Sequence, residues 1–292
     1  MDLRNSKYSR ITQPWQHRNY AAKIVRYNQM KSYLFVSKIR IQTALAYRFN
    51  VISTILIQCL IMYAMSCFWI AAYQETETAA GVGRQDMITY TIISVIMGNL
   101  LTMGVQGRIA DSVRTGSVAL DLLKPVNIYG IYLAEDLGDC AAAFFQKAVP
   151  LFLVGTVMFG FPAPASAVHF MLFLLSFAIG YLINWILAAL LGLCAFKILS
   201  LGPLANAKGF IMKLLSGSIF PLWFFPEKFR VVLELLPFMN IYQLPLGIYI
   251  GQYAIHEILW RTALQLFWCA ALWLLFDVLQ KRMAAAILIQ GG

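Results

Sequence analysis

Charge is scarce in this sequence: only 12% of its 292 residues are Asp, Glu, Lys or Arg. A soluble domain carries about a quarter charged residues, so a chain wetted on all sides is excluded. Cysteine and histidine are few as well, five and three residues. Cys59, Cys67, Cys140, Cys194 and Cys269 lie in or beside apolar runs with no C-x-x-C pair, and His17, His169 and His256 are far apart. This excludes a disulfide frame and a metal site and reads as buried free thiols. No G-x-x-x-x-G-K-[ST] phosphate loop occurs, so the chain is not itself a P-loop ATPase. No H-E-x-x-H or G-x-S-x-G constellation occurs either, which leaves no catalytic residues to name and little ground for an enzyme.

What the sequence has instead is apolar length. Hydrophobic residues make up 60% of it, and its mean hydropathy is +0.69. Crossing a bilayer takes about 20 apolar residues. Six stretches qualify: Val51–Tyr73, Met87–Gly107, Asp139–Phe161, Val168–Phe196, Ala207–Phe225 and Ile258–Leu279. The expected fold is all-α, an integral membrane domain of six transmembrane helices over 51–282, followed by a tail at 283–292.

The basic residues are unevenly placed. Of 23 Lys and Arg, ten lie in residues 1–50, where Asp2 is the only acid. In so apolar a chain this arm is expected at anionic lipid on the cytoplasmic face rather than on nucleic acid. It lacks the early apolar core of a signal peptide. With the N-terminus inside, the cytoplasmic segments hold seventeen Lys and Arg and the outer segments hold three. That bias predicts both termini in the cytoplasm. Within 27–50, basic and aromatic residues alternate with apolar ones at helical spacing, which predicts an interfacial helix leading into the first span.

Four features carry the functional reading. The first is a polar island, Arg108–Asn127, between the second and third spans. Ile109, Val113, Val118, Leu120 and Leu123 are mixed there with Asp111, Arg114, Asp121 and Lys124, a pattern suited to a short helix lying against a partner. The second is Glu135, Asp136 and Asp139 at the start of span three, with Lys147 two turns deeper. These form either a polar inner vestibule that meets substrate or cytoplasmic and paired side chains. The third is Phe220–Tyr253, where Pro221, Pro226, Pro237 and Pro245 rule out one continuous helix. Two short helices in the outer leaflet are expected there, serving either as an outer gate or as packing over the span ends. The gate candidates are Phe220, Pro221, Trp223, Phe224 and Phe225. The fourth is the middles of the spans, which have few of the carboxylates a proton-driven carrier would need.

Three stretches carry a resemblance to a known family. They are Arg114–Gly116 with Leu122–Asn127, Ser216–Pro226, and LLPF at 235–238 with Pro245–Gly251. In order and spacing the chain resembles the membrane subunit of ABC-2-type exporters. That resemblance implies two permease copies, identical or homologous, on a cytoplasmic ATPase dimer that holds the ATP and Mg, so this chain would bind no cofactor. It implies a bacterial inner-membrane location among membrane lipid and efflux of a drug, peptide, lipid or polysaccharide. It implies a coupling helix at about 108–125. There Asp111, Arg114, Asp121 and Lys124 would contact the ATPase, and Val118, Leu120 and Leu123 would seat the helix beside Thr115, Gly116 and Pro125. Gly202–Lys208 would be a second contact. The alternatives are an ion-gradient carrier, which should show an internal repeat, and an intramembrane lipid-modifying enzyme, for which the acid trio is the only candidate cluster.

Overall fold

The computed structural model describes residues 31–44, 48–118, 120, 126–198 and 201–290. The described residues are mostly helical. Helix α1 covers 31–44, and α2 (Arg48–Ala72) begins the membrane bundle. A two-strand hairpin follows, β1 (Thr78–Ala79) antiparallel to β2 (Val82–Gly83). Its two-residue turn, Ala80-Gly81, has φ of 52° and 77°, the left-handed pair that matches strand twist in tight hairpins.

The chain returns through α3 (Arg84–Leu100), breaks at residues 101–104 and continues as α4 (Val105–Thr115). It then rises through α5 (Ile128–Ala143), a π turn (Phe144–Ala148) and α6 (Val149–Phe159). Pro150 accounts for the π turn, because its ring clashes with the carbonyl four residues earlier and the widened turn relieves that clash. Next come α7 (Ala167–Leu193), α8 (Gly202–Leu215), α9 (Glu227–Leu235), α10 (Gln243–Tyr249) and α11 (Ile255–Gln290).

The core is α3, α7 and α10. Helix α3 is buried along most of its length, and every residue of α10 is buried against α7 and α3. Helix α7 approaches the chain at 240–241 so closely that a Cβ on Gly180 would sit 2.8 Å from the Asn240 carbonyl oxygen. The outer faces of α2, α6 and α11 are broadly apolar and exposed, with Leu56, Leu153, Val157 and Leu274 at 59–86% exposure. In water such faces would be untenable; in lipid they are the solvated surface.

Among the described residues five helical segments are long and apolar enough to cross a membrane: Phe49–Ala72, Arg84–Thr115, Ile128–Phe159, Ala167–Phe196 and Ile255–Met283. This corrects the sequence expectation twice. The third span starts at Ile128, not near Asp139, because Asn127 caps it by accepting from the Tyr129 and Gly130 N–H groups at 2.9 and 3.2 Å. The fifth expected span, Ala207–Phe225, is not one helix. Helix α8 has 14 residues, about 21 Å at 1.5 Å per residue, short of the hydrocarbon thickness of about 30 Å. It stops at Ser216-Gly217, where Gly217 takes φ of 80°, and Pro221 and Pro226 block a restart. The chain still passes from one end of the bundle to the other between 198 and 254, as a short helix, an irregular stretch and the buried α10.

Candidate functional site

At the end of the bundle nearest α1, the break between α3 and α4 is held by side chains from other helices. Gly104 begins α4 and has no side chain with which to cap it. Asp136 of α5 does so instead: its Oδ1 accepts from the Gly104 N–H at 2.8 Å and its Oδ2 from the Val105 N–H at 3.1 Å. A carboxylate at a helix N-terminus satisfies orphan donors and opposes the helix dipole. On the other side of the break, Asn184 of α7 donates to the Leu101 carbonyl at 2.8 Å.

Arg108, one turn into α4, closes the arrangement. It reaches Glu135 through Nε at 2.7 Å, Asp136 through Nη1 at 2.7 Å and Asp139 through Nη2 at 2.9 Å. Asp136 is fully buried, and the Arg108 and Glu135 side chains are 17% and 18% exposed. The guanidinium folds back over Gly104, where a Cβ would lie 2.7 Å from Nη2. A side chain at 104 would push the guanidinium out of this position in the ion cluster.

Helix α1 joins the same cluster. Arg40 pairs with Glu135 at 3.2 Å, and Ser37 Oγ donates to the Ala134 carbonyl at 2.5 Å. Gly138 permits the contact, since a Cβ there would meet the Ser37 backbone within 2.9 Å. The three acids read in the sequence as a possible vestibule thus form one clamp with Arg108 and Arg40, joining α1, α4 and α5. Lys147 stands apart from it, on the π turn.

Helix α4 is two-faced. Val105, Ile109 and Ser112 are buried, and α7 approaches closely at Gly192, where a Cβ would meet Ile109 at 3.0 Å. The opposite face shows Asp111 and Arg114, paired at 3.2 Å with side chains 70% and 77% exposed. Gly116 ends the helix with φ of 73°, and its N–H donates to the Val113 carbonyl. Thr115 Oγ1 donates to the Asp111 carbonyl at 2.8 Å. Val118 is half-buried beside Ile109 and Tyr129, while Leu120 is 67% exposed. Asp121, Leu123, Lys124 and Pro125 lie outside the described residues, as does most of the basic arm.

The five gate candidates gather toward the other end. Trp69 of α2 stacks on Phe224 at 5.1 Å, Phe68 meets Phe220 edge-on at 5.8 Å, and Trp223 packs edge-on to Tyr90 at 5.7 Å. Pro221 is buried and Phe225 half-buried. Behind them Gln243 Oε1 accepts from the Leu222 N–H at 3.0 Å, and the Tyr90 hydroxyl donates to the Gly217 carbonyl at 2.6 Å. This fixes the aromatic stretch against α3 and α10.

Residues 59–284 match the family described as ABC-2 family transporter protein. The match covers most of the chain, including α4, the acid clamp and the aromatic stretch. The chain belongs to the ABC-2 transporter family. Among curated proteins no significant match is found. As an ABC-2 chain with several apolar spans, it is a multi-pass membrane protein and the permease subunit of an ABC transporter, a type that works with an ATPase partner.

The residues that sequence reasoning missed in this ABC-2 permease are Arg108, Arg40, Asn184 and Gln243. Arg108 was legible only as the edge of the polar island. The available signal was indirect: three acids beside an apolar run need a cation, and Gly104 starts a helix with no cap of its own.

Proposed function

We propose that this permease couples ATP hydrolysis on a separate cytoplasmic ATPase dimer to export of an amphiphilic substrate across a bacterial inner membrane. The observation that carries the reading is the double character of α4. Its exposed face offers the Asp111–Arg114 pair and the residues after Gly116 to a partner, while its root is bolted by Arg108 and Asp136 to α5 and, through Glu135, to α1. A push on α4 then moves the start of the third span and the arm helix together. The basic bias favours α4 on the cytoplasmic side. Helix α8 with the 216–225 stretch serves as the remaining crossing, which keeps both termini on one side. A second permease copy, identical or homologous, completes the membrane unit. The aromatic stretch from Phe220 to Phe225 is the outer gate, and of the clamp acids Asp139, with Lys147, faces the inner vestibule.

The test is charge reversal at Arg114 together with Asp121. ATP hydrolysis by the assembled complex should persist while export is lost, with membrane insertion unchanged. Unaltered export in the double variant would remove α4 from the coupling role. Purification in mild detergent followed by mass spectrometry should recover a stoichiometric P-loop ATPase. A chain that purifies alone after cross-linking, and transports on an ion gradient, would overturn the motor-driven reading.

A further inference from the structure

Beside the clamp lies a cavity of about 270 Å³, bounded by α1, the α3–α4 break and the π turn. Its chemistry is bipolar. Lys147 lines it, half-buried, and makes no ion pair with any described residue. A lysine without a counter-ion is costly at membrane depth. Asp139 lines the same cavity two turns away along the helix, about 12 Å at 1.5 Å per residue. Helical side chains lean toward the N-terminus, so the lysine stem shortens that gap. Asp139 gives only Oδ2 to Arg108, at 2.9 Å, and its side chain is 38% exposed. Its Oδ1 accepts no hydrogen bond from a described residue. Asn99, whose amide nitrogen is used on the Val95 carbonyl, keeps its oxygen free for the cavity, and Gln146 adds an amide.

We propose that this cavity holds the headgroup of a zwitterionic aminophospholipid, with phosphate at Lys147 and the primary ammonium at Asp139. A cation at one end and an acceptor pair at the other match a headgroup with both charges. An anionic headgroup without an amine would leave Asp139 facing negative charge. A quaternary ammonium has no N–H to donate and is recognised by aromatic cages, whereas among the described residues none that lines this cavity is aromatic. The acyl chains would run along the apolar outward face of the adjoining helix, where Phe145, Leu153 and Val157 are 72%, 59% and 86% exposed. Ala44 of α1 at the cavity rim puts the site beside the amphipathic arm helix. This inference does not depend on the direction of transport.

The experiment is native mass spectrometry of the full chain in detergent, with phosphatidylethanolamine, phosphatidylcholine and phosphatidylglycerol added in competition. Phosphatidylethanolamine should be retained over both others. Lys147→Gln should cut that retention about tenfold or more, the loss of one charge-assisted hydrogen bond. Lys147→Arg should keep it, and an unchanged unfolding midpoint confirms the fold of each variant. Equal retention of the three lipids by the unaltered chain, or full retention by a folded Lys147→Gln variant, would overturn the site. A reconstituted complex with labelled phosphatidylethanolamine then separates two sources of the same ligand. ATP-dependent movement of the label marks it as cargo; selective binding without movement marks it as a resident lipid.

Discussion

Replacing Asp136 by alanine tests the clamp most directly. The carboxylate is fully buried and accepts three hydrogen bonds, from the Gly104 and Val105 N–H groups and from Arg108. Losing a helix N-cap costs about 1 kcal/mol. Losing a charge-assisted bond costs about 1.5–3 kcal/mol more. Arg108 keeps Glu135 and Asp139, so the cost stays below that of a fully orphaned ion. The expected destabilisation is about 3 kcal/mol, which lowers a thermal midpoint by about 6–12 °C at 2–4 °C per kcal/mol. Asp136→Asn keeps one acceptor and should fall between. Arg108→Ala leaves Asp136 and Asp139 without their cation and Glu135 on Arg40 alone, and should cost more than either. The internal control is Asp111→Ala, which removes an exposed pair worth about 0–1 kcal/mol. Thermal unfolding of the purified chain in detergent reads all four. If Asp136→Ala shifts the midpoint no further than Asp111→Ala, the carboxylate is not holding α4 and the reasoning fails.

Two glycine substitutions should move in opposite directions. Gly217→Ala forces a side chain into φ of 80° and into the Gln243 side chain, which should cost at least about 2 kcal/mol by backbone strain and overpacking and lower the thermal midpoint. Gly209→Ala, in α8 with nothing within 4 Å of its Cβ, should be neutral or stabilising by up to about 1 kcal/mol. Gly138→Val should lift α1 off α5 at Ser37 and Arg40, seen as a longer spin-label distance between 36 and 141, with a smaller midpoint shift than Asp136→Ala.

The sequence carried the membrane class, the proline-bounded helix between Pro226 and Pro237, and the polar island. Hydropathy alone supports these, because burial in lipid requires long apolar runs and proline interrupts them at fixed places. It failed where a polar residue is satisfied from far along the chain. Glu135, Asp136 and Asp139 made span three look as if it began only at Asp139, yet all three lie within a continuous helix because Arg108 neutralises them from 27 to 31 residues away. The 207–225 run looked like a span because composition counts residues and not φ; only the left-handed Gly217 shows where the helix must stop. The short apolar piece around Pro245 was read as an outer-leaflet helix. It forms α10, and what its composition did not show is that every residue of it is buried, against α7 and α3.

One rule accounts for the polar side chains at the helix breaks. In hydrocarbon a broken helix exposes N–H and C=O groups that water cannot satisfy. At these breaks polar side chains from distant elements take them up. Asp136 and Asn184 serve the two sides of the α3–α4 break. Gln243 serves the stretch after Gly217 by accepting from the Leu222 N–H, and its own N–H bonds the Ser216 carbonyl. Gln265 of α11, fully buried, donates to the Ser176 and Asn240 carbonyls at 2.8 Å each. Three of these four are neutral amides, which fix geometry without burying a charge. The exception is the acidic cap on α4. There the permease accepts the cost of burying an ion pair, and there alone the capped helix also presents an exposed charged face. A neutral amide would keep only one acceptor for the break, so the carboxylate's distinguishing contributions are the second N–H it caps and its bond to Arg108, which ties α4's root to the third span and the arm.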